Sequence, residues 1–327
     1  LIFIDLRDRL GTVQVVFTPE NKGLFESANR LRPEWVISIE GKIKMRPQGM
    51  ENQEIPTGAI ELEASGLTTI SEAKTPPLPI DTEGYEIEEE MRLKYRYLDL
   101  RRNRMQKNLL LRHKVVTLAR DFLNSHDFVE IETPLLTKTS PEGARDFIVP
   151  ARLYPGKFYA LPQAPQQYKQ LLMLAGFDRY YQIARALRDE DSRGDRQPEH
   201  TQIDLEMSFV TARDVLDLVE RLMIYIAEAC GKKIWQKPFP VFTHEEAIKQ
   251  FGADKFDLRE ENKDQNTLAF AWVVDFPLFE WDEDQKRFTF AHNPLSAPKP
   301  EYIKELIAEE NLGHIKAQHY DLVCNGY

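Results

Sequence analysis

Arg188-Asp-Glu-Asp-Ser-Arg-Gly-Asp-Arg-Gln-Pro-Glu-His-Thr-Gln-Ile-Asp204 lies between two runs that alternate like strands, and nearly all of its residues are charged or polar. A plain hairpin connection needs only turn residues, so this density of charge points to work on a charged ligand. Guanidinium groups suit such work, because they are always ionised and present donors in a planar fork that matches phosphate and carboxylate. The usual phosphate-binding and hydrolytic signatures are absent. There is no GxxxxGK, GxGxxG or GxSxG, and the one start of an HExxH, His244-Glu245, is broken by Ile248. Cys230 and Cys324 lie far apart with no partner at metal-ligand spacing, which argues for reduced thiols in a cytosol-like compartment. A second concentration of charge runs from Arg92 to Lys114, where nine basic residues face a single carboxylate, Asp99. It offers counter-charges to a phosphate backbone even though the net charge is −10, and a solvated helix face would carry the same pattern.

The elements that must position these residues are legible in part. With 327 residues and 42% hydrophobic content the chain can bury sizeable cores in two or three domains. No apolar run approaches the roughly 18 residues of a membrane helix, so no membrane partner is expected. Ile2, Ile4 and Leu6 alternate before a turn at Asp8 to Gly11, and Val13, Val15 and Phe17 follow, which predicts a hairpin. Strand-like runs at Trp35 to Lys44 and Ile60 to Ala64 complete a small β-barrel of OB-fold type over 1–73. Lys74 to Pro79, with three prolines in six residues, opens a linker spanning 74–107. Helical spacing over Asn108 to Leu123, then helices at Pro165 to Ala175, Ala212 to Cys230 and Pro300 to Glu310, alternate irregularly with strands at Tyr180 to Leu187, Thr201 to Phe209, Ala269 to Asp275 and Tyr320 to Val323. Strands without regular βαβ order predict an α+β domain over 108–327, an antiparallel sheet with flanking helices.

Four segments in order carry a resemblance. Phe128-Val-Glu-Ile-Glu-Thr-Pro134 looks like motif 1 of the class II aminoacyl-tRNA synthetases, and the Arg188 to Asp204 stretch looks like motif 2 in the form of the aspartyl enzymes of bacterial type. Pro141-Glu-Gly-Ala-Arg-Asp146 and Gln163-Ala-Pro-Gln-Gln-Tyr-Lys169 resemble that family's aspartate-pocket segments. The resemblance implies a cytoplasmic ligase that activates L-aspartate with ATP and Mg²⁺, then transfers it to the 3′ end of tRNA(Asp), with tRNA(Asn) left open. Such chemistry needs neutralised charge and in-line alignment more than covalent work. By resemblance, Arg188 binds the α-phosphate and the aspartate, and is the catalytic residue. Asp189, Glu190, Gln197 and His200 join it around ATP, with His200 where the family commonly stacks Phe on adenine. Lys169, in the segment that begins at Gln166, is assigned the aspartate side chain, Glu142 and Asp204 its α-ammonium, and His292 a closing position over it. Asp321 matches a Mg²⁺ ligand, Phe3 and Gln14 match anticodon contacts on the barrel, and Pro134 implies a homodimer through motif 1.

Departures and rivals set further expectations. Ala164 replaces a serine common in the family, with little loss expected. Near 259–262 the chain passes straight to Asn266 where bacterial members carry an inserted domain of roughly a hundred residues. The start at Leu1 inside a strand, and the end at Tyr327 before the glycine-rich motif 3, lead us to expect a longer natural protein and no activity from these residues alone. An asparaginyl-tRNA synthetase shares this frame but has no use for Lys169, and a non-catalytic tRNA-binding paralogue would have lost Arg188 or the acidic pocket.

Overall fold

The computed structural model describes residues 1–140, 142–191, 196–259, 263–292 and 295–327. Pro141, Ser192 to Asp195 of the charged stretch, Glu260 to Asn262 at the expected insertion point, and Asn293-Pro294 lie outside the described residues. The chain divides into two compact units, 1–108 and 109–327.

In the first unit β1 (Ile2–Arg7) and β2 (Thr12–Phe17) form the expected antiparallel hairpin. Asp8 closes its turn by accepting from the backbone N–H of Leu10 and Gly11. A helix that alternation does not reveal, α1 (Lys22–Asn29), follows with Asn21 capping Leu24. The long strands β3 (Val36–Met45) and β4 (Ile60–Ser71) pair antiparallel, and β4 joins β2 in parallel, giving the order β1-β2-β4-β3. Gly41 sits at a bulge where a Cβ would come 2.3 Å from the Glu63 carbonyl oxygen, so only glycine fits that approach. Ile2, Ile4 and Leu6 point into a core with Val15, Phe17 and Ala28, which turns Phe3 outward at 56% exposure.

Residues 89–99 form two short helices, α2 (Glu89–Lys94) and α3 (Arg96–Asp99). They revise the reading of the basic run. Asp99 is fully buried and held by Arg92, Arg96 and Arg102 at 3.0, 2.8 and 2.8 Å. Arg102, itself buried, also donates to the carbonyls of Pro79 and Thr82. Arg101 pairs with Glu34 and Arg104 lies over Tyr85. At least three of the nine cations are therefore internal ties of this segment and not a free phosphate track.

α4 (Asn103–Asn124) leads into the second unit. There β5 (Val129–Glu130), the hairpin β6 (Ile148–Pro150) and β7 (Phe158–Ala160), and α5 (Gln166–Leu174) precede the long antiparallel pair β8 (Arg179–Leu187) and β9 (Glu199–Met207). α6 (Ala212–Ala229) is started by a Thr211/Asp214 capping box. The short strands β10 (Lys233–Ile234) and β11 (Val241–Thr243) come next, then α7 (His244–Phe251). His244-Glu245 thus opens a helix with a Thr243/Glu246 capping box, and its resemblance to a metal motif is incidental. β12 (Thr267–Leu268), β13 (Phe270–Val274), the hairpin β14 (Phe279–Asp282) and β15 (Arg287–Phe290), α8 (Ile303–Ala308) and β16 (Tyr320–Cys324) complete the unit.

The antiparallel pairs β8/β9 and β13/β16 are each extended by a parallel neighbour, β5 and β11. α4 and α6 pack on one face of β8/β9 through Ala119, Phe122, Leu218, Leu222 and Ile226 against Tyr181, Ile203, Leu205 and Met207. α6 turns Leu216 toward Phe270 and Trp272 of β13, so one helix braces both sheets. Among the described residues no helix is long and apolar enough to cross a membrane.

Candidate active site

Side chains alternate across a strand, and the register of β8 on β9 decides which ones meet. Tyr180, Gln182, Ala184 and Ala186 stand opposite Glu206, Asp204, Gln202 and His200 on one face. The odd-numbered partners Tyr181, Ile203, Leu205 and Met207 face the helices. The buried Ala184 and Ala186 leave that even face open in its middle, while acids, amides and an imidazole surround the opening. Three atoms here are buried without a hydrogen-bond partner: Arg188 Nε, Gln202 Oε1 and Asp204 Oδ2. Unmatched polar atoms inside a protein cost on the order of 1 to 3 kcal/mol each, so their gathering on one face marks a place where a polar ligand belongs.

α5 delivers Lys169 to this face. Its ammonium donates to Asp204 at 2.8 Å and lies 3.3 Å from Glu206, with only 12% of the side chain exposed. Gln166 is half-buried in the first turn of the same helix. Burial pushes the Glu142 carboxyl up, against the pull of Ser140 at 3.0 Å and the charges of Arg188 and Lys169, so Glu142 belongs to the same electrostatic cluster. Its loop is anchored by Gln163, fully buried, whose amide exchanges hydrogen bonds of 3.0 and 2.8 Å with the backbone of Ala144. Burial and Asp204 raise the Tyr180 phenol, which stays neutral and donates to Gln182 at 2.8 Å.

At the end of β8 the face opens into a groove of about 1050 Å³ lined by Arg188, Glu190, Gln197 and His200 together with further arginines. Burial, then the Arg188 charge, lower the His200 imidazole, keeping it neutral and suited to stacking. Asp189 does not line the groove; its backbone pairs with Arg145, N–H to carbonyl at 2.9 Å and carbonyl to Nε at 3.1 Å.

His292 and Asp321 form a second cluster. His319 donates from Nε2 to Asp321 at 2.9 Å and its ring lies tilted against His292 with centroids 4.3 Å apart, and both rings flank Phe276. The His319 contact holds the Asp321 carboxyl down and burial lowers His292, so the first is ionised and the second neutral near pH 7. Burial, then the charge of Glu206, raise the phenol of Tyr320 next to Asp321. Among the described residues no three His, Cys, Asp or Glu side chains converge as a metal cage. Asp321 fits only the mode in which magnesium takes one or two carboxylates and the rest from phosphates and water.

Phe3 and Gln14 lie in the other unit, on neighbouring strands, with Gln14 donating to Glu61 at 3.4 Å. Gln202, Glu206, Gln163 and His319 were missed by sequence reasoning. Gln202 and Glu206 are readable from the period of two that begins at His200; Gln163 opens the pocket-like segment but its hold on Ala144 depends on tertiary packing, and His319 carries no local signal.

Residues 88–327 match the family described as tRNA synthetases class II (D, K and N), and residues 1–70 match the OB-fold nucleic acid binding domain. The chain is 60% identical over 272 residues to an aspartate--tRNA(Asp/Asn) ligase of Rubrobacter xylanophilus, a match covering 82% of this chain and 45% of that protein. With the ligase of the same name from Thermodesulfovibrio yellowstonii it shares 39% identity, covering 100% of this chain and 77% of the other. That alignment runs over 462 positions, so the relative holds residues with no counterpart here. The asparaginyl-tRNA synthetase of Pyrococcus horikoshii complexed with asparaginyl-adenylate is similar in fold, with a TM-score of 0.71 at 20% identity, covering 98% of this chain and 72% of that one.

Proposed function

The chain belongs to the class II tRNA synthetases of the D, K and N group, and from that premise we propose that it is an aspartate–tRNA ligase, forming aspartyl-adenylate from L-aspartate and ATP and passing the aspartyl group to tRNA. The observation that carries the reading is Lys169, a cation shielded from water at the bottom of the face that bears the three unpartnered atoms. A shielded ammonium selects a carboxylate over an amide because burial strengthens its attraction to charge.

Each residue then has a task. Lys169 takes the side-chain carboxylate of aspartate, Gln166 borders it, and Glu142 with the free Oδ2 of Asp204 takes the α-ammonium. Arg188 aligns the α-carboxylate with the α-phosphorus of ATP, its Nε free for that purpose. One oxygen–phosphorus bond forms as the bond to pyrophosphate breaks, and the guanidinium meets the developing charge. Glu190 and Gln197 border the nucleotide, Asp189 ties their strand end to Arg145 through its backbone, His200 stacks on adenine, and His292 closes over the aspartate. Magnesium would neutralise phosphate oxygens when bound, and Asp321 would hold it.

The polynucleotide partner is tRNA(Asp), with tRNA(Asn) as a second substrate in keeping with the names of the relatives. Phe3, exposed, and Gln14 beside it contact the anticodon. The enzyme works as a homodimer in the cytoplasm, its interface centred on Pro134, where the exposed Val129, Leu135 and Leu136 supply apolar surface. ATP–pyrophosphate exchange by the intact natural protein with aspartate and with asparagine, alongside its molar mass by light scattering, tests the reading. Exchange with aspartate alone and a two-chain mass are expected; exchange with asparagine, or with neither amino acid, would overturn it.

A further inference from the structure

The apolar layer between α4 and the odd face of β8/β9 stops short of the groove. Val115, Ala119 and Phe122 of α4 meet Tyr181, Ile203 and Leu205. One turn before Val115 on the same helix face stands Arg112. One step beyond Ile183 and Ile203 on the same sheet face stands Arg185, opposite Thr201. Where apolar packing ends, both elements continue as arginines, and both line the groove. Arg185 is 52% exposed and ion-paired with Glu199, while Arg112 is exposed and has no ion pair or hydrogen bond among the described residues. Neither lies on the even face, so a nucleotide held by Arg188 and His200 leaves both uncommitted. The groove volume, about 1050 Å³, lies just above the roughly 300 to 1,000 Å³ typical of small-ligand sites. There is room for a second anion.

We infer that Arg112 and Arg185 form a phosphate clamp for the backbone of the RNA substrate as its 3′ strand enters the groove, with Glu199 tempering the grip of Arg185. Nothing in the adenylation step requires them. A phosphodiester is the ligand that matches two guanidinium groups beside a site whose product must be handed to an RNA end. The inference rests on reading the chain as a tRNA-charging enzyme.

The test measures affinity of the full chain for an aspartate-accepting tRNA transcript between 50 and 200 mM salt, together with aspartate-dependent ATP–pyrophosphate exchange. For the double variant Arg112→Gln with Arg185→Gln we expect tRNA binding weakened about tenfold and a salt dependence shallower by about 0.7 to 0.9 for each phosphate no longer neutralised. Exchange should stay within about twofold of wild type. Glu199→Gln, which frees Arg185, should bind tRNA about two- to threefold more tightly, a gain that misfolding cannot imitate. Unchanged affinity and salt slope in the double variant, or no tRNA binding by wild type, would overturn the clamp. So would a parallel loss of exchange, which would place the arginines in the adenylation site, or an altered molar mass, which would assign them to contact with a second copy. Wild type that binds tRNA without catalysing exchange would sink the adenylation reading and leave the clamp to its binding data.

Discussion

At the scale of single residues, the pocket rests on a charge balance around Lys169. Asp204 and Glu206 both face its ammonium, at 2.8 and 3.3 Å, in a setting where little water reaches them. Removing one partner of such a buried group leaves the others uncompensated at a cost of about 3 to 5 kcal/mol. Lys169→Met should therefore do two things. It should lower aspartate-dependent exchange by about two orders of magnitude or more, chiefly through the KM for aspartate, because the substrate would add a third carboxylate to two unpaired ones. The KM for ATP should change little, since the groove proposed for the nucleotide is lined by Arg188, Gln197 and His200 and not by Lys169. Exchange kinetics at varied aspartate and varied ATP separate the two constants. Unchanged aspartate kinetics, or equal damage to both, would remove Lys169 from the specificity site.

At the scale of elements, much of the frame was legible and the reasons for the failures are specific. β8, β9, α5 and α6 follow from clear periodicity, and alternation put Phe3 on the outside of its strand, as found. α1 and α7 are eight residues long, too short for periodicity to stand out, although the Thr243/Glu246 capping box of α7 was readable. The partnership of Lys169 with Glu206 was hidden because tertiary packing alone brings α5 onto β9. The basic run from Arg92 to Lys114 is legible only in part for a similar reason: sequence counts charges but does not show that Arg92, Arg96 and Arg102 converge on Asp99. That convergence makes α2 and α3 dependent on one carboxylate. Burial pushes Asp99 up, yet Arg92, Arg102 and Arg96 outweigh it and hold the carboxyl at about 2. A folded pKa below the unfolded value means that the contribution is complete above about pH 4 and is lost as pH falls toward 2. Asp99→Asn should lower stability by about 3 kcal/mol or more at pH 7 and by much less near pH 2. Urea unfolding of both proteins at the two pH values checks this, and a difference independent of pH would show that the carboxylate charge is not what holds the segment.

At the scale of the whole molecule, the two compact units have separate cores, Val15, Phe17 and Ala28 in one and the α4, α6 and β8/β9 layer in the other. The proposed reaction divides in the same way. Adenylate formation uses residues of the second unit alone, whereas choice of tRNA uses the barrel as well. Gln14 is the sharpest probe of that division. Its amide is held by one long hydrogen bond to Glu61, at 3.4 Å, and therefore keeps hydrogen-bonding capacity for a base, on the strand paired with the one that turns Phe3 outward. Gln14→Ala removes no side chain from the barrel core and should leave folding intact. Removing one hydrogen bond to a base costs about 1 to 3 kcal/mol, so charging of tRNA should fall about five- to 150-fold in kcat/KM. Aspartate-dependent ATP–pyrophosphate exchange should be unchanged, because no group in the adenylation site has been altered. Measuring both half-reactions on one preparation makes the comparison internal: charging unaffected would deny Gln14 an anticodon role, and an equal fall in both would mean that the substitution damages the enzyme as a whole.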